Sequence, residues 1–344
     1  MCAHPSDPGG DILDLAHLPV EEEAEVKRLR VERALAAMGI RAEVPAPPPP
    51  PVREGARARI RLHVGRGGRL VMFRRRTHET VSPPLDRMAR PRVATAARGL
   101  EEGLSALPEM EGGQVEVRAD AHHAVAVLYP LAARRIRQAA DLARPMGPAG
   151  AVALRDRAVV GDPRVEFRVA GLALRFGPVT FFQVHPEAND RLVADVVARI
   201  LALGPARVLD LFGGAGNFSL PLAAAGTQVE LVEASGPAVS DARQNAARLG
   251  LDVQVVRWDA TRFDPGRSFF DVAVLDPPRS GGGETLARVL VTRPRAVVLV
   301  SCHPPSLARD LRVASDRGYR VEDLRLHDLF PLTSHVEVVA TLRR

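Results

Sequence analysis

Apolar and polar positions alternate along the chain in two different ways. From about residue 166 onward, short apolar runs typical of buried strands are separated by amphipathic stretches of helical period. The strands are predicted at 206–212, 228–234, 252–258, 270–275, 295–301, 319–326 and 335–342. Helices are predicted between most of these strands, for example over 237–249 and 304–317. Strands that alternate with helices indicate an α/β fold with an open, doubly wound, Rossmann-like sheet.

The sequence before residue 166 predicts a smaller α+β domain. Strands predicted at 56–64 and 69–75 flank Arg66-Gly67-Gly68, a combination typical of a β-hairpin. Two helices and two short strands are predicted after it, at 85–104, 131–145, 114–118 and 122–128. We therefore expect a small domain over 53–165 and the α/β domain over 166–344.

The N-terminal part of the chain predicts a helix and a linker. Residues 21–38 predict a helix in which acidic side chains come first and basic ones follow, as the helix dipole favours. We expect residues 21–44 to pack on the α/β domain through this helix, and residues 1–20 to be flexible. The proline run at 45–51 predicts a stiff, extended linker over 45–52.

Positive charge is concentrated in the predicted small domain. The chain has 47 basic and 41 acidic residues, a net charge of +6, and Lys27 is its only lysine. Arg57, Arg59 and Arg61 alternate along one predicted strand and therefore share one face of it. Such a face is either solvated or bound to an anion, and the local clustering of arginines favours contact with RNA.

A glycine-rich turn follows the predicted strand at 206–212. Gly213-Gly214-Ala215-Gly216 lets the backbone turn tightly and approach a ligand. Glu233 ends the next predicted strand, at the spacing where a carboxylate binds ribose hydroxyls. Ser219 stands where a dinucleotide fingerprint needs a third glycine, which argues against a pyrophosphate. With Asp276 at the end of another strand, the turn favours S-adenosylmethionine, an adenosine ligand without phosphates.

A cysteine and a glutamate lie in two unusual segments near the C-terminus. Cys302 follows the apolar run 295–301 and precedes a predicted helix, whose N-terminus can stabilise a thiolate. Glu337 opens the last predicted strand. A thiolate that adds to carbon 6 of uracil activates carbon 5 for methylation, and a base must then remove the carbon 5 proton. The ordinary alternatives are a buried core cysteine and a surface glutamate.

These segments resemble the S-adenosylmethionine-dependent RNA uridine-5 methyltransferases of tRNA and 23S rRNA, and the resemblance covers about 56–344. The matching motifs are Phe181-Phe-Gln183-Val-His185-Pro186, Asp210-Leu-Phe-Gly-Gly-Ala-Gly-Asn-Phe218, Ser301-Cys302-His303-Pro304 and Phe330-Pro-Leu-Thr-Ser-His-Val-Glu337, with a weaker echo at 71–79. In Asp276-Pro-Pro-Arg279, the arginine replaces the aromatic residue that amino-group methyltransferases need, which argues against nitrogen methylation.

The resemblance implies a role for each motif residue. It makes 166–344 the methyltransferase domain, Cys302 the nucleophile and Glu337 the base. It places five further residues around the cofactor and the target base, namely Gln183, Phe212, Asn217, Glu233 and Asp276. The family's strand order sets the last strand antiparallel beside the fifth, which brings the base next to the nucleophile. The target uridine must be flipped out to reach them.

The chain departs from the family pattern at several positions. Histidine replaces asparagine at His185 and His303, and Ala56 replaces an aromatic residue. The only cysteines are Cys2 and Cys302. We therefore expect a short form that lacks the N-terminal barrel and the iron–sulfur cluster of longer members, and that binds no metal.

The sequence thus predicts methyl transfer from S-adenosylmethionine to carbon 5 of a uridine in rRNA or tRNA, through a covalent cysteine–uracil intermediate. Two other functions stay open: a non-catalytic RNA-binding descendant of the same scaffold, and a methyltransferase for a non-RNA substrate. Two distant cysteines fit a reducing cytosol, and no apolar run approaches the ~20 residues that span a bilayer. We expect a cytoplasmic monomer whose partner is RNA and not a membrane.

Overall fold

Two seven-stranded sheets dominate the computed structural model, which describes residues 12–74, 77–131, 139–147, 150–264 and 269–344. A helix, α1 (Val20–Ala36), precedes both sheets and matches the predicted helix 21–38 closely. No helix in the described ranges is long and apolar enough to cross a membrane.

The first sheet is built from residues 59–160. Its strands are β1 (Arg59–Val64), β2 (Leu70–Phe73), β3 (Thr80–Val81), β4 (Gln114–Ala119), β5 (Ala124–Tyr129), β6 (Ala151–Leu154) and β7 (Arg157–Val160). Its helices are α2 (Leu85–Met88) and α3 (Pro91–Leu104). The strand order is β3-β2-β1-β4-β5-β6-β7, and β1 pairs antiparallel with both β2 and β4.

The hairpin and the central strands of this sheet lie where the sequence predicts them, but β6 and β7 were not predicted. Each has four residues, too few to show a clear two-residue period. The predicted helix 131–145 falls partly on 132–138, which lie outside the described residues. Ala139–Met146 form a 3-10 helix that packs against α3.

A short antiparallel ribbon leads into the second domain. It consists of β8 (Val165–Val169) and β9 (Leu172–Phe176), neither of them predicted, and is followed by α4 (Pro186–Ala202). Between β9 and α4, the ring of Phe182 packs against Phe167 and Phe176 at centroid distances of 4.8 and 5.3 Å. These rings anchor the backbone immediately before Gln183.

The second sheet is the predicted α/β sheet. Its strands are β10 (Arg207–Leu211), β11 (Gln228–Glu233), β12 (Gln254–Arg257), β13 (Val272–Leu275), β14 (Ala296–Ser301), β15 (Arg320–His327) and β16 (Glu337–Arg343). The helices are α5 (Ser219–Ala224), α6 (Gly236–Leu249), α7 (Gly283–Val291) and α8 (Pro304–Ser315). The order β12-β11-β10-β13-β14-β16-β15 is parallel as far as β14, and β16 is antiparallel to both neighbours.

Alternate residues of these strands pack into two separate cores. Val208 and Val274 belong to the core that includes α4, whereas Leu209, Leu275 and Leu299 belong to the core that includes α1, α7 and α8. Because helices cover both faces, the predicted doubly wound α/β fold is confirmed.

The N-terminal segment is packed against the rest of the molecule. α1 contacts α8 of the second domain. Residues 12–19, which we expected to be flexible, form turns in which Leu13 is buried and the Leu15 amide donates to the Leu332 carbonyl at 2.9 Å. Burial of apolar side chains explains why this part differs from the expectation. Residues 1–11 lie outside the described residues.

The proline-rich linker lies along the start of α4. The His185 ring donates from Nε2 to the Val52 carbonyl at 2.9 Å, and Arg191 donates to the Pro49 carbonyl at 3.3 Å. That the linker is stiff and extended stays a prediction, whereas two of its carbonyl groups, those of Pro49 and Val52, accept hydrogen bonds from side chains of the second domain.

Candidate active site

The predicted nucleophile and base lie side by side at one end of the second sheet. In the antiparallel pair of β14 and β16, Ser301 is opposite Val338. One step further along the two chains, Cys302 is therefore opposite Glu337, and residues that face each other in this way have Cβ atoms about 4.5–5.5 Å apart. The strand order brings together two residues that are far apart in sequence, as the resemblance implied.

Burial and negative charge dominate the electrostatics of this pair. Burial raises the pKa of the Cys302 thiol to about 11, and the charges of Glu337 and Asp276 add to the shift. Burial also raises the pKa of Glu337 well above its ordinary value, with a further contribution from Asp276. Arg279 acts in the opposite direction on the thiol. In the free protein the Cys302 thiol therefore holds its proton at neutral pH, and the Glu337 carboxyl group holds its proton to a higher pH than an exposed glutamate does.

Two aspartates continue the acidic site along the ends of the parallel strands. Asp276 follows β13, and burial together with the charge of Asp210 raises its pKa to about 7. Asp210, in β10, is fully buried, and burial raises its pKa to about 7 as well. Its Oδ2 accepts a hydrogen bond from the Ser219 hydroxyl at 2.5 Å, whereas Oδ1 has no partner. A buried acceptor without a donor marks a place where a ligand can donate.

Asp210 was not among the predicted site residues, although it opens the motif that contains Phe212 and Asn217. Its position in an apolar strand, just before the glycine turn, was the available signal. A carboxylate in such a strand is costly to bury without a partner.

The glycine turn has the shape that the sequence predicts. Phe212 has φ of +63°, in the left-handed region that non-glycine residues rarely adopt, and Gly214 and Gly216 have φ of +57° and +96°. A Cβ on Gly214 would meet no atom within 4 Å, so that its backbone faces open space. On Gly213 it would lie 2.5 Å from the Leu231 side chain. Gly213 thus allows the turn to pack against β11, and Gly214 leaves the backbone accessible to a ligand.

Glu233 lies beside this turn, at the end of β11. Its Oε2 accepts from the Gly214 amide at 3.1 Å and its Oε1 accepts from the Ser235 amide at 2.7 Å. The carboxylate is partly exposed. Each oxygen keeps a lone pair for a further donor, which suits a ribose hydroxyl.

Asn217 and Gln183 are held from the α4 side. Asn217 and Asn189 exchange two amide hydrogen bonds, of 2.9 and 3.1 Å. Gln183 is buried, next to the anchored ring of Phe182. The structure therefore ties Asn217 to α4, and Gln183 lies buried three residues before the start of that helix.

The three predicted RNA-binding arginines do not form one set. Arg59 and Arg61 share a face of β1, and both contact the buried carboxylate of Glu116, at 3.4 and 2.8 Å. The buried Arg118 binds the same carboxylate. The anion that balances this face is thus internal, an alternative that the sequence did not suggest. Arg57 precedes β1, and burial lowers its pKa to about 10.

The pKa shifts around Glu116 show how crowded this cluster is. Burial pushes the pKa of Glu116 up, but Arg118, Arg59 and Arg61 together lower it below its ordinary value. The pKa of Arg59 is lowered too, because its burial outweighs one long contact to a carboxylate that it shares. The Arg59 guanidinium also lies over the exposed ring of Phe181, 4.6 Å from its centroid.

The two histidines that replace asparagine have defined partners. His185 is buried at the start of α4 and binds the linker. The His303 ring lies 2.8 Å from the Ser306 hydroxyl, which itself donates to the Arg279 carbonyl at 2.7 Å. The hydroxyl therefore accepts from His303 Nδ1. Both histidines thus act as hydrogen-bonding connectors at helix starts.

Within the described ranges, no group of three or more His, Cys, Asp or Glu side chains is arranged to hold a metal ion.

Comparison with known proteins identifies similar chains. The family model for tRNA (uracil-5-)-methyltransferase matches residues 165–344. A 23S rRNA (uracil(1939)-C(5))-methyltransferase RlmD of Alkalilimnicola ehrlichii is 36% identical over 374 residues, which cover 100% of this chain and 82% of the relative. The RlmD of Shewanella sp. (strain ANA-3) is 42% identical over 173 residues, 49% of this chain and 38% of that protein.

A solved structure shares the fold over almost the whole chain. The Pyrococcus abyssi tRNA (uracil-54, C5)-methyltransferase, in complex with S-adenosyl-L-homocysteine, has a TM-score of 0.78 and 22% sequence identity. The likeness covers 96% of this chain and 84% of that one. Both domains described above therefore belong to the shared fold.

Proposed function

Because the chain belongs to the tRNA (uracil-5-)-methyltransferase family and is an S-adenosylmethionine-dependent RNA uracil-5-methyltransferase, we propose that Cys302 is its nucleophile and Glu337 its general base. The observation that carries this proposal is the register of β14 and β16, which sets the two side chains opposite each other.

Cys302 and Glu337 act one after the other in the proposed sequence of steps. The Cys302 thiolate adds to carbon 6 of the uracil ring, and the electron pair of the 5,6 double bond moves toward the carbonyl at carbon 4. The electron pair at carbon 5 then bonds to the methyl group of bound S-adenosylmethionine, whose methyl–sulfur bond would break so that S-adenosylhomocysteine leaves with that bond's electron pair. Glu337 removes the carbon 5 proton, the double bond forms again, and the carbon–sulfur bond breaks to release the thiolate. The raised pKa of Glu337 makes its carboxylate a stronger proton acceptor.

The glycine turn and its acidic neighbours fit S-adenosylmethionine, which supplies an electrophilic methyl group when bound. Glu233 is placed to accept from ribose hydroxyls, and the accessible backbone of Gly214 allows close approach. The unpartnered Oδ1 of Asp210 can accept from a donor of the ligand. A positively charged sulfonium also suits a pocket that holds Asp210 and Asp276.

On the RNA side, we infer that Arg57 and the exposed ring of Phe181 contact the substrate near the site. Burial is the main cause that lowers the pKa of His335, two residues before Glu337, and the charge of Arg57 also contributes, so Arg57 lies near His335. Phe181 is 59% exposed and lies next to Gln183 in sequence. An exposed aromatic ring beside cations is suited to stacking on a base and binding phosphate.

The test is release of tritium from carbon-5-labelled uridine in tRNA and in rRNA, with and without S-adenosylmethionine. We expect cofactor-dependent release from at least one pool, followed by mapping of the methylated uridine. No release from either pool, with cofactor binding demonstrated, would favour the non-catalytic RNA-binding alternative.

A further inference from the structure

We propose that Lys27, in α1, is a positioning residue for the general base: it holds the segment 328–335 so that Glu337 stays aligned with Cys302. The proposal rests on the proposed function of Glu337. The N-terminal helix would then be a working part of the active site, although it lies outside the range that the family model matches.

The Lys27 ammonium group is completely buried and has three acceptors. It forms ion pairs with Glu23 at 2.7 Å and with Asp328 at 2.6 Å, and it donates to the Phe330 carbonyl at 3.4 Å. The last two partners belong to the segment that links β15 to β16. A contact between residues 303 positions apart thus joins α1 directly to this segment.

Further hydrogen bonds attach the same segment to the N-terminal part of the chain. Glu23 accepts from the Leu332 amide at 2.7 Å. Arg30 donates to the carbonyl of Ser334 at 2.5 Å and to its hydroxyl at 3.1 Å, and the Ser334 amide donates to Asp14 at 2.9 Å. The backbone is therefore held at 330, 332 and 334, immediately before the base.

Charge within the cluster is balanced only while Lys27 is present. Glu23 and Asp328 face Lys27, and Arg53 contacts the second oxygen of Glu23 at 3.3 Å. Burial raises the pKa of Asp328, and the charge of Lys27 opposes that shift. Without the ammonium group, Asp328 loses its ion pair inside the protein. Either Asp328 then takes up a proton, or the segment that contains it moves.

The choice of lysine is itself informative, because the other 46 of the 47 basic residues are arginine. An ammonium group is compact and directs three donors tetrahedrally, which matches one acceptor on Glu23, one on Asp328 and one on Phe330. A guanidinium group is planar and larger, so arginine would not fit these three acceptors.

Glu337 is the first residue of β16, where the ladder alone constrains it least. If the segment before it shifts, the carboxylate moves relative to carbon 5 while Cys302 keeps its place after β14. Methyl transfer needs only the thiol, whereas release of the product needs the base. Loss of Lys27 should therefore slow release more than methyl transfer.

The experiment compares Lys27→Met and Lys27→Arg with Arg33→Met, an exposed position on the same helix. Each purified protein is mixed with S-adenosylmethionine and substrate RNA, and methyl transfer, product release and covalent protein–RNA adduct are followed by rapid quench. We expect both Lys27 variants to lower kcat by about tenfold to a hundredfold, with KM little changed and adduct accumulating, because small displacements of a catalytic group have effects of this size. Arg33→Met should match the wild type.

Hydrogen exchange of residues 328–337 gives a readout that does not depend on activity. We expect the Leu332 and Ser334 amides to exchange faster by about tenfold in Lys27→Met. Unchanged exchange of these two amides would refute the proposal that Lys27 holds the segment 328–335, whatever the activity of the variant. Faster exchange with wild-type kcat and no adduct would refute the positioning role. If Lys27→Met does not fold, the same measurements on Lys27→Arg, which keeps the charge, test the proposal. A wild-type protein that releases no tritium would refute the proposed function, and the positioning role with it.

Discussion

The side chains of Asp210, Asp276, Cys302 and Glu337 meet where the strands of the second sheet end, and burial raises the pKa of each. Burying four acidic groups together lowers the stability of the folded protein when they are charged, and therefore favours their protonated forms. These groups take up charge when a cationic ligand and a substrate arrive. The sequence predicted three of these residues from their motifs, but not Asp210, whose position in an apolar strand was a signal while its oxygen without a partner is visible only in three dimensions.

Replacing the nucleophile should separate catalysis from cofactor binding. Cys302→Ala removes the atom that adds to carbon 6, so we expect loss of detectable turnover with unchanged affinity for S-adenosylmethionine. Calorimetry and the tritium assay check the two parts. Substantial turnover in this variant would rule out the thiol mechanism.

Replacing the base should trap the reaction after methyl transfer. Glu337→Gln cannot remove the carbon 5 proton, so we expect the methylated RNA to stay bound to Cys302 and to run as a protein–RNA adduct in denaturing gels. The double variant Cys302→Ala, Glu337→Gln is the control and should give no adduct. Normal turnover without adduct would point to a different base.

The pH dependence of the thiol follows from its surroundings. Because the pKa of Cys302 is about 11 in the free protein, its alkylation by iodoacetamide should rise by about tenfold per pH unit from pH 7 to 10 without levelling off. Glu337→Gln removes one of the negative charges that raise this pKa, so levelling should begin at lower pH. Mass spectrometry in a Cys2→Ser background measures the alkylation rate against pH with and without Glu337→Gln. A plateau below pH 9 in the protein that keeps Glu337 would contradict a Cys302 pKa of about 11.

At the scale of elements, the second sheet was predictable and the first only in part. Runs such as those of β10 and β14 are apolar throughout because both faces of a parallel sheet are covered, which makes them easy to recognise. The strands β6 to β9 are short, and their pairing depends on partners distant in sequence. The pairing of β1 with β4, which sets Arg59 and Arg61 beside Glu116, could not be inferred from either strand alone.

The β1–β4 pair provides a test of internal charge balance. Glu116→Gln would leave the buried Arg118 without its ion pair, next to Arg59 and Arg61, and we expect the free energy of unfolding to fall by about 3–5 kcal/mol. Urea denaturation followed by circular dichroism measures the change. Glu111→Gln, an exposed neighbour in the preceding turn, should leave stability within about 0.5 kcal/mol of the wild type. A small effect of Glu116→Gln would show that Arg118 is satisfied by the Gly177 and Thr180 carbonyls that it also contacts.

At the scale of the whole molecule, the N-terminal segment, the linker and the two domains meet around one site. The sequence predicted that the helix near residue 27 would pack on the α/β domain, but its ion pair with Asp328 depends on chain folding over the full length. The division into domains stays a prediction, since one apolar core includes residues of both sheets, such as Val125 and Val298.

Substrate binding by the whole molecule should depend on salt. Arg57 lies near His335, and among the described residues no ion pair is seen for its guanidinium group, so Arg57→Gln should reduce the slope of log K against log salt by about one. Arg320→Gln, at the far end of β15, should change neither slope nor affinity measurably. Fluorescence anisotropy with substrate RNA between low and moderate salt measures both slopes. An unchanged slope for Arg57→Gln would remove this residue from the RNA contacts.

Because β14 pairs with β16, the distance between Cys302 and Glu337 does not depend on the length of the turn at Gly318. The strand pairing brings Cys302 and Glu337 together, although this turn lies between them in sequence. Additional residues at that turn would lengthen the connection without displacing either group. The fold can therefore acquire new surface loops for other RNAs at this point while its reaction centre is inherited unchanged.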